Sequence, residues 1–70
     1  MRTIEEAQEL FQQLRNQARE KLTPINGVYY IDKRFIKSVC GKDYKAVCLH
    51  AVISKQAEYM DDGVSLMIWI

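Results

Sequence analysis

Histidine, cysteine and glycine, the residues that most often build catalytic, metal and phosphate sites, are scarce in this sequence. The 70 residues include one histidine, two cysteines and three glycines. Glycine-rich phosphate loops, Gly-x-Ser-x-Gly elbows and His-Glu-x-x-His helices are all absent. These absences argue against the common nucleotide-binding, hydrolase and metalloprotease classes. We therefore expect no enzymatic activity and no cofactor.

An excess of charge and a long apolar run are also missing. Ten lysines and arginines against nine aspartates and glutamates leave a net charge of +1, too little to attract nucleic acid or an acidic substrate over long range. The longest apolar runs, AVCLHAVI and VSLMIWI, are far shorter than a membrane span of about 20 residues. The N-terminal segment MRTIEEAQEL is too polar for a secretory signal. The expected setting is the cytoplasm, with reduced thiols and no membrane partner.

Apolar residues, in contrast, are plentiful. They make up 49% of a chain that is long enough for one compact domain, residues 1–70, and too short for a second core. A domain of this size hides only about 60% of the surface of its unfolded chain. Some apolar surface should therefore stay exposed in a monomer, which favours self-association or a protein partner.

The N-terminal third has the pattern of an amphipathic helix. Thr3 and Glu6 have the spacing of a capping box. Pro24 disfavours helical geometry at the residue before it, so the helix should end near Leu22. Between these limits, apolar residues recur at intervals of three and four: Ile4, Ala7, Leu10, Phe11, Leu14 and Ala18.

The middle third supports two interpretations. A turn signal, Asn26-Gly27, precedes a β-branched and aromatic run that predicts a strand over 28–31. The alternation in 33–40 slightly favours another strand. The alternative is a short helix over 33–40, with Asp32 as its N-cap and Gly41 as its C-terminal stop.

Two apolar runs occupy the last third. The run YKAVCLHAVIS is apolar on every side, and its short length and its valine and isoleucine content favour a buried strand. The run VSLMIWI has the composition of a further strand. The predicted fold is therefore α+β, with one N-terminal amphipathic helix packed on a small antiparallel sheet of three to four strands. In the alternative, 33–40 adds a second short helix.

The tetrapeptide YMDD at 59–62 resembles the signature of the reverse-transcriptase palm, in which a β-turn presents two aspartates to magnesium. That site also needs a carboxylate from another strand of a much longer domain, and only Asp32 and Asp43 remain to supply it. We therefore interpret 61–63 as a turn between two strands, with Gly63 at positive φ.

Cys40, Cys48 and His50 are the remaining candidates for chemistry. A zinc site needs four ligands at close spacing, and Asp43 would have to be the fourth. On a strand, Cys48 and His50 would face the same side but lie about 6.5–7 Å apart along the backbone, too far for a thiolate–imidazole pair. We expect these three residues to be part of the core, with no metal bound.

Basic residues are concentrated in one stretch and include Lys33, Arg34, Lys37, Lys42 and Lys45. Tyr30, Phe35 and Tyr44 lie nearby, and aromatic residues interleaved with basic ones can stack on single-stranded nucleic acid. A solvated hairpin whose lysines protect an edge strand would show the same pattern. Nucleic-acid binding through Lys33–Lys45 is therefore the alternative function.

The last strand predicts a partner surface. Alternation would point one set of side chains toward the helix: Val64, Leu66, Ile68 and Ile70. Met67 and Trp69 would then lie on the opposite sheet face, joined there by Tyr29 or Tyr30. A single helix covers only one sheet face, so this second face would stay open unless a helix over 33–40 covers it.

These observations predict a small, non-enzymatic protein-binding protein, inhibitory or regulatory in role. The predicted partner-binding residues are Tyr29, Tyr30, Met67 and Trp69. We expect a homodimer as well, because the same surface can cover a second copy. In size and economy the chain is similar to accessory and inhibitor proteins of phages and mobile elements, although no motif carries that similarity.

Overall fold

The structure, a computed structural model, describes residues 4–69, which form three α-helices and three short strands. The elements in chain order are helix α1 (Ile4–Lys21), strand β1 (Val28–Ile31), helix α2 (Lys33–Cys40), a 3-10 turn (Gly41–Asp43), helix α3 (Tyr44–Ile53), and strands β2 (Ala57–Tyr59) and β3 (Leu66–Trp69). This arrangement confirms the α+β class. Thr3, the predicted cap, and Ile70 lie outside the described residues.

Helix α1 follows the predicted pattern. Its buried residues are Ala7, Phe11, Leu14 and Ala18, which recur at three- and four-residue intervals. The Leu22 N–H still donates to the Ala18 carbonyl at 2.8 Å, and the chain then leaves the helix two residues before Pro24. The predicted helix and its end are confirmed.

Residues 33–40 form helix α2, so the strand that their alternation favoured is wrong. The alternative, a short helix over 33–40, is confirmed. The Asp32 carboxylate accepts the Phe35 backbone N–H at 2.8 Å, which satisfies one of the free donors of the first turn. Ile36 and Cys40 are buried one turn apart. The helix ends at Gly41, whose φ of 64° and ψ of −142° suit a residue without Cβ.

Helix α3 corrects a second prediction, because the buried strand expected over 44–54 is a helix. The run gives no strand alternation, and a segment of ten residues is long enough for nearly three helical turns. Only Val47, Cys48 and Ala51 are buried, and their spacing is that of one helical face. The β-branched residues of the run suggested a strand, but packing against the core outweighs their weak preference.

The end of α3 is a Schellman motif. The Gln56 N–H donates to the Ala51 carbonyl at 2.9 Å, and the Lys55 N–H donates to the Val52 carbonyl at 3.1 Å. Lys55 takes the left-handed conformation at φ 63°, a position that glycine usually fills. This turn reverses the chain and leads it directly into β2.

The sheet has the strand order β1-β3-β2, and both pairings are antiparallel. The predicted turn at 61–63 is confirmed: it joins β2 to β3, and Gly63 has a φ of 72°. The Met60 N–H donates to the Ser65 carbonyl at 2.8 Å and closes this hairpin. Val64 lies in the loop before β3.

The helices of the described region pack on one side of the sheet. The strand residues of the core all lie on the same sheet face: Tyr29, Ile31, Ala57, Leu66 and Ile68. Phe11 of α1, Ile36 of α2 and Val47 of α3 belong to that same core. The sequence had allowed a helix over 33–40 to cover the second sheet face. Helix α2 instead packs on the same side as the other helices and leaves that face open. None of the described helices has the length and apolar character needed to cross a bilayer.

Candidate interaction surface

The open sheet face begins at a tight turn before β1. Asn26 and Gly27 have φ values of 53° and 78°, and positive φ at both central residues identifies a type I′ turn. The Ile25 and Val28 backbones exchange hydrogen bonds of 2.8 and 3.0 Å across it. Because directly paired residues share a face, Ile25 lies beside Val28 on the sheet.

Strand register extends this surface across the sheet. Val28 is paired with Trp69, and Tyr30 is paired with Met67, so all four side chains lie on the face opposite the core. Glu58 of β2 is paired with Met67 from the other side. We call this surface the outer face and define it by six residues: Ile25, Val28, Tyr30, Glu58, Met67 and Trp69.

The outer face is apolar and open. Ile25 is 60% exposed, and Tyr30 and Trp69 are each 44% exposed, while Val28 and Met67 are half-buried. With about 200 Å² for a whole aromatic side chain, the three exposed residues leave on the order of 300 Å² of apolar surface in contact with water. That area is comparable to the largest patch on a typical monomer, and such patches are often functional.

The polar groups of the outer face are few. Tyr30 and Trp69 each bring one hydrogen-bond donor, and Glu58 at one edge brings the carboxylate. Beside Trp69 the face continues into a cavity of about 340 Å³ whose lining also includes Val52, Lys55 and Glu58. Aromatic residues and methionine with a sparse polar edge are typical of the centre of protein interfaces.

Tyr29 was predicted as a partner-binding residue, and the structure corrects this. It is paired with Ile68 on the core face and is only 8% exposed. Its neighbour Tyr30 takes the outward position instead. The sequence predicted three residues of the outer face, Tyr30, Met67 and Trp69. It missed Ile25, for which the Asn26-Gly27 turn was an available signal, because a two-residue turn pairs the residues on either side of it.

The three aromatic residues near the predicted nucleic-acid residues do not share one surface. The Lys33 and Lys37 ammonium nitrogens lie 5.9 and 5.3 Å from the centroid of the Tyr44 ring. The Tyr44 ring is therefore already engaged in cation–π contacts within the chain. Phe35 packs against the core, and Tyr30 belongs to the outer face. The other basic residues of the stretch are exposed: Arg34, Lys42 and Lys45.

The two cysteines are buried in the core as free thiols. Burial raises the pKa of both Cys40 and Cys48 to about 11, so neither is a ready nucleophile near neutral pH. On a helix, Cys48 and His50 point about 160° apart, which corrects the expectation that they face one side. Within residues 4–69 no three His, Cys, Asp or Glu side chains are grouped to hold a metal ion.

In the palm-like tetrapeptide, Asp62 forms hydrogen bonds within its own hairpin loop. The Asp62 carboxylate accepts the N–H groups of Val64 and Ser65 at 2.8 and 2.7 Å and the Ser65 hydroxyl at 2.6 Å. Those hydrogen bonds, led by the Ser65 hydroxyl, lower the pKa of Asp62. The carboxylate is therefore directed into the loop that connects β2 to β3, where it fixes the shape of the turn.

No protein-family model, curated protein or solved structure matches this chain. The function of the chain is therefore inferred from its own surfaces, beginning with the outer face.

Proposed function

We propose that this chain is a small protein-binding protein, inhibitory or regulatory in role, which docks its outer face against a partner protein. One observation supports the proposal most: the described helices all pack on the other side of the sheet, while Tyr30 and Trp69 remain open to solvent. The free thiols fit a reducing compartment, and we place the protein in the cytoplasm.

The mechanism is occlusion of a partner surface. Tyr30 and Trp69 are large, have few rotatable bonds and are already supported from below by the sheet, so little entropy is lost when they are covered. Met67 lies on the same strand as Trp69 and is paired with Tyr30, and its flexible side chain can adapt to the shape of the partner. An interface built on such anchors needs no chemistry from this chain, in keeping with the expectation of a non-enzymatic protein.

The test is affinity capture from the source organism, with the wild-type chain compared with a Trp69→Ser, Tyr30→Ser double variant. We expect a protein recovered with the wild type and reduced at least about tenfold with the variant, because interface aromatics contribute about 2 kcal/mol or more each. Ile4→Ser is the matched control, since Ile4 is an exposed apolar residue of α1 and lies outside the outer face.

Equal recovery by the double variant and the control would contradict the proposal, provided that both variants melt cooperatively. Mass spectrometry of nucleic acid in the same samples checks the alternative function. Nucleic acid that is lost on raising the salt concentration would favour the basic stretch Lys33–Lys45 instead.

A further inference from the structure

Helix α3 is apolar on all sides, yet only one side of it is covered. Val47, Cys48 and Ala51 are buried, whereas Leu49 is 51% exposed and Ile53 is 70% exposed. A helix that is hydrophobic all round is normally buried all round. The exposed side of α3 therefore has apolar residues that the core does not require.

A groove of about 430 Å³ adjoins that exposed side. It runs between α3 and the loop of the β2–β3 hairpin, and its lining residues are Tyr44, Lys45, Cys48, Leu49, Tyr59, Gly63 and Val64. We call this surface the α3 groove. The buried Cys48 thiol lies 4.0 Å from the Val64 carbonyl oxygen and joins the two walls. Its volume is within the range of sites that take small ligands or single bulky side chains.

Positive charge is concentrated at one end of the α3 groove. Lys45, Leu49 and Ile53 follow one another at four-residue spacing, so a cation and two aliphatic side chains form one stripe on α3. The Lys33 and Lys37 ammonium groups are held close to the Tyr44 ring, which is part of the same wall.

The opposite wall offsets only part of this charge. Two carboxylates, Asp61 and Asp62, precede Gly63 there. Both are exposed, and the three hydrogen bonds that the Asp62 carboxylate accepts within its own loop favour its ionised form. Three cations at one end, Lys33, Lys37 and Lys45, therefore outnumber the two carboxylates of the opposite wall.

We propose that the α3 groove binds a short acidic segment of a partner protein, with bulky apolar side chains against Leu49 and Ile53 and carboxylates beside Lys33, Lys37 and Lys45. Apolar contact supplies the affinity and charge complementarity fixes the direction of the segment. Nucleic acid fits the site less well, because the Tyr44 ring already has ammonium groups against it and the stripe beyond it is aliphatic. The α3 groove and the outer face lie on opposite sides of the sheet, so the two can be occupied together.

The experiment is a titration of ¹⁵N-labelled protein, followed by NMR. The probe is a synthetic amphipathic peptide with leucines on one helical face and glutamates on the other. We expect shift changes at 44–53, Tyr59 and 63–64, with few at Tyr30 and Trp69. A matched peptide with lysine in place of every glutamate should bind at least about tenfold more weakly, because like charges would meet at the basic end.

Variants separate the apolar contribution from the charges and from the outer face. Two double variants should each bind the acidic peptide at least about tenfold more weakly, since both kinds of contact are needed. One is Leu49→Ser with Ile53→Ser, and the other is Lys37→Glu with Lys45→Glu. Trp69→Ser should leave this binding unchanged even if it removes the partner of the outer face. Thermal melts establish that each variant is folded.

Three results would overturn the inference. The acidic and basic peptides could bind equally, the shift changes could fall on the outer face or nowhere, or single-stranded oligothymidine could bind 44–53 more tightly than the acidic peptide. None of these outcomes affects the affinity capture through the outer face, so the two proposals fail separately.

Discussion

The two thiols show how single side chains behave in this core. Cys40 at the end of α2 and Cys48 in the middle of α3 are both buried and free. Burial disfavours the thiolate, and for Cys40 the nearby Cys48 and Asp43 add electrostatic repulsion in the same direction. These cysteines act as small apolar residues, as the sequence predicted.

Thiol reactivity tests this placement. At about pH 8, the native protein should react slowly with an alkylating reagent, and both cysteines should react quickly in denaturant, because only the exposed thiolate is nucleophilic. Fast labelling of the native protein would contradict the burial.

The same pKa values predict a loss of stability in alkali. The folded pKa of each thiol is about 11 against an ordinary 9.0, so their contribution is full below pH 9.0 and is lost as the pH rises toward about 11. A variant with Cys40→Ala and Cys48→Ala should lose less stability than wild type across that interval, measured by thermal melts. An identical decline in both proteins would count against the assignment.

Among the elements, the most informative terminus is the end of α3. Lys55 holds a left-handed conformation, which is strained for any residue that has a Cβ atom. The Schellman hydrogen bonds of Lys55 and Gln56 nevertheless fix it, because the chain must reverse before β2.

Lys55→Gly should therefore stabilise the protein by about 0.5–1 kcal/mol, because glycine adopts positive φ without strain. Chemical denaturation measures this as a higher midpoint with an unchanged slope. Lys55→Ala is the matched control, since it removes the charge and keeps the Cβ atom, and it should give little or no gain. A gain from alanine equal to that from glycine would show that the side chain of lysine, and not backbone strain, is responsible.

How far the sequence predicted these elements depends on how periodic each one is. Helix α1 has a clear apolar stripe, and β1 follows an Asn26-Gly27 turn, so both were predicted correctly. Helix α3 has no polar side that would reveal its period, and β2 has only three residues, so neither could be identified from local pattern. For the outer face, alternation along β3 was enough for Met67 and Trp69. The direction of Tyr29 depended on its pairing with Ile68, which only the folded register fixes.

The whole molecule is a layer of helices on one side of a small sheet. This arrangement leaves the outer face without a cover from the described chain, and α3 has an exposed apolar side as well. The outer face has on the order of 300 Å² of exposed apolar surface, whereas a standard interface buries about 800 Å² per partner. A homodimer formed through the outer face would therefore also have to bury polar surface around that face. We expect such a dimer to be weak.

Sedimentation velocity over a concentration series tests self-association. We expect a monomer at low micromolar and a growing dimer fraction at high micromolar concentration, in line with an interface near the lower end of the size range. The only tryptophan is Trp69, so its fluorescence should shift to shorter wavelength as the dimer forms. Trp69→Ser should abolish the dimer and Ile4→Ser should not. A monomer at all concentrations would limit the outer face to partners other than a second copy.

Site-specific photo-crosslinking in the source cells tests the central claim most directly. A benzophenone amino acid placed at Tyr30 lies on the outer face, and the same group at Arg19 lies on the exposed side of α1 as the control. The account predicts a discrete crosslinked protein from position 30 and none from position 19. Crosslinking from position 19 alone, or no protein product from position 30 in the folded chain, would contradict it.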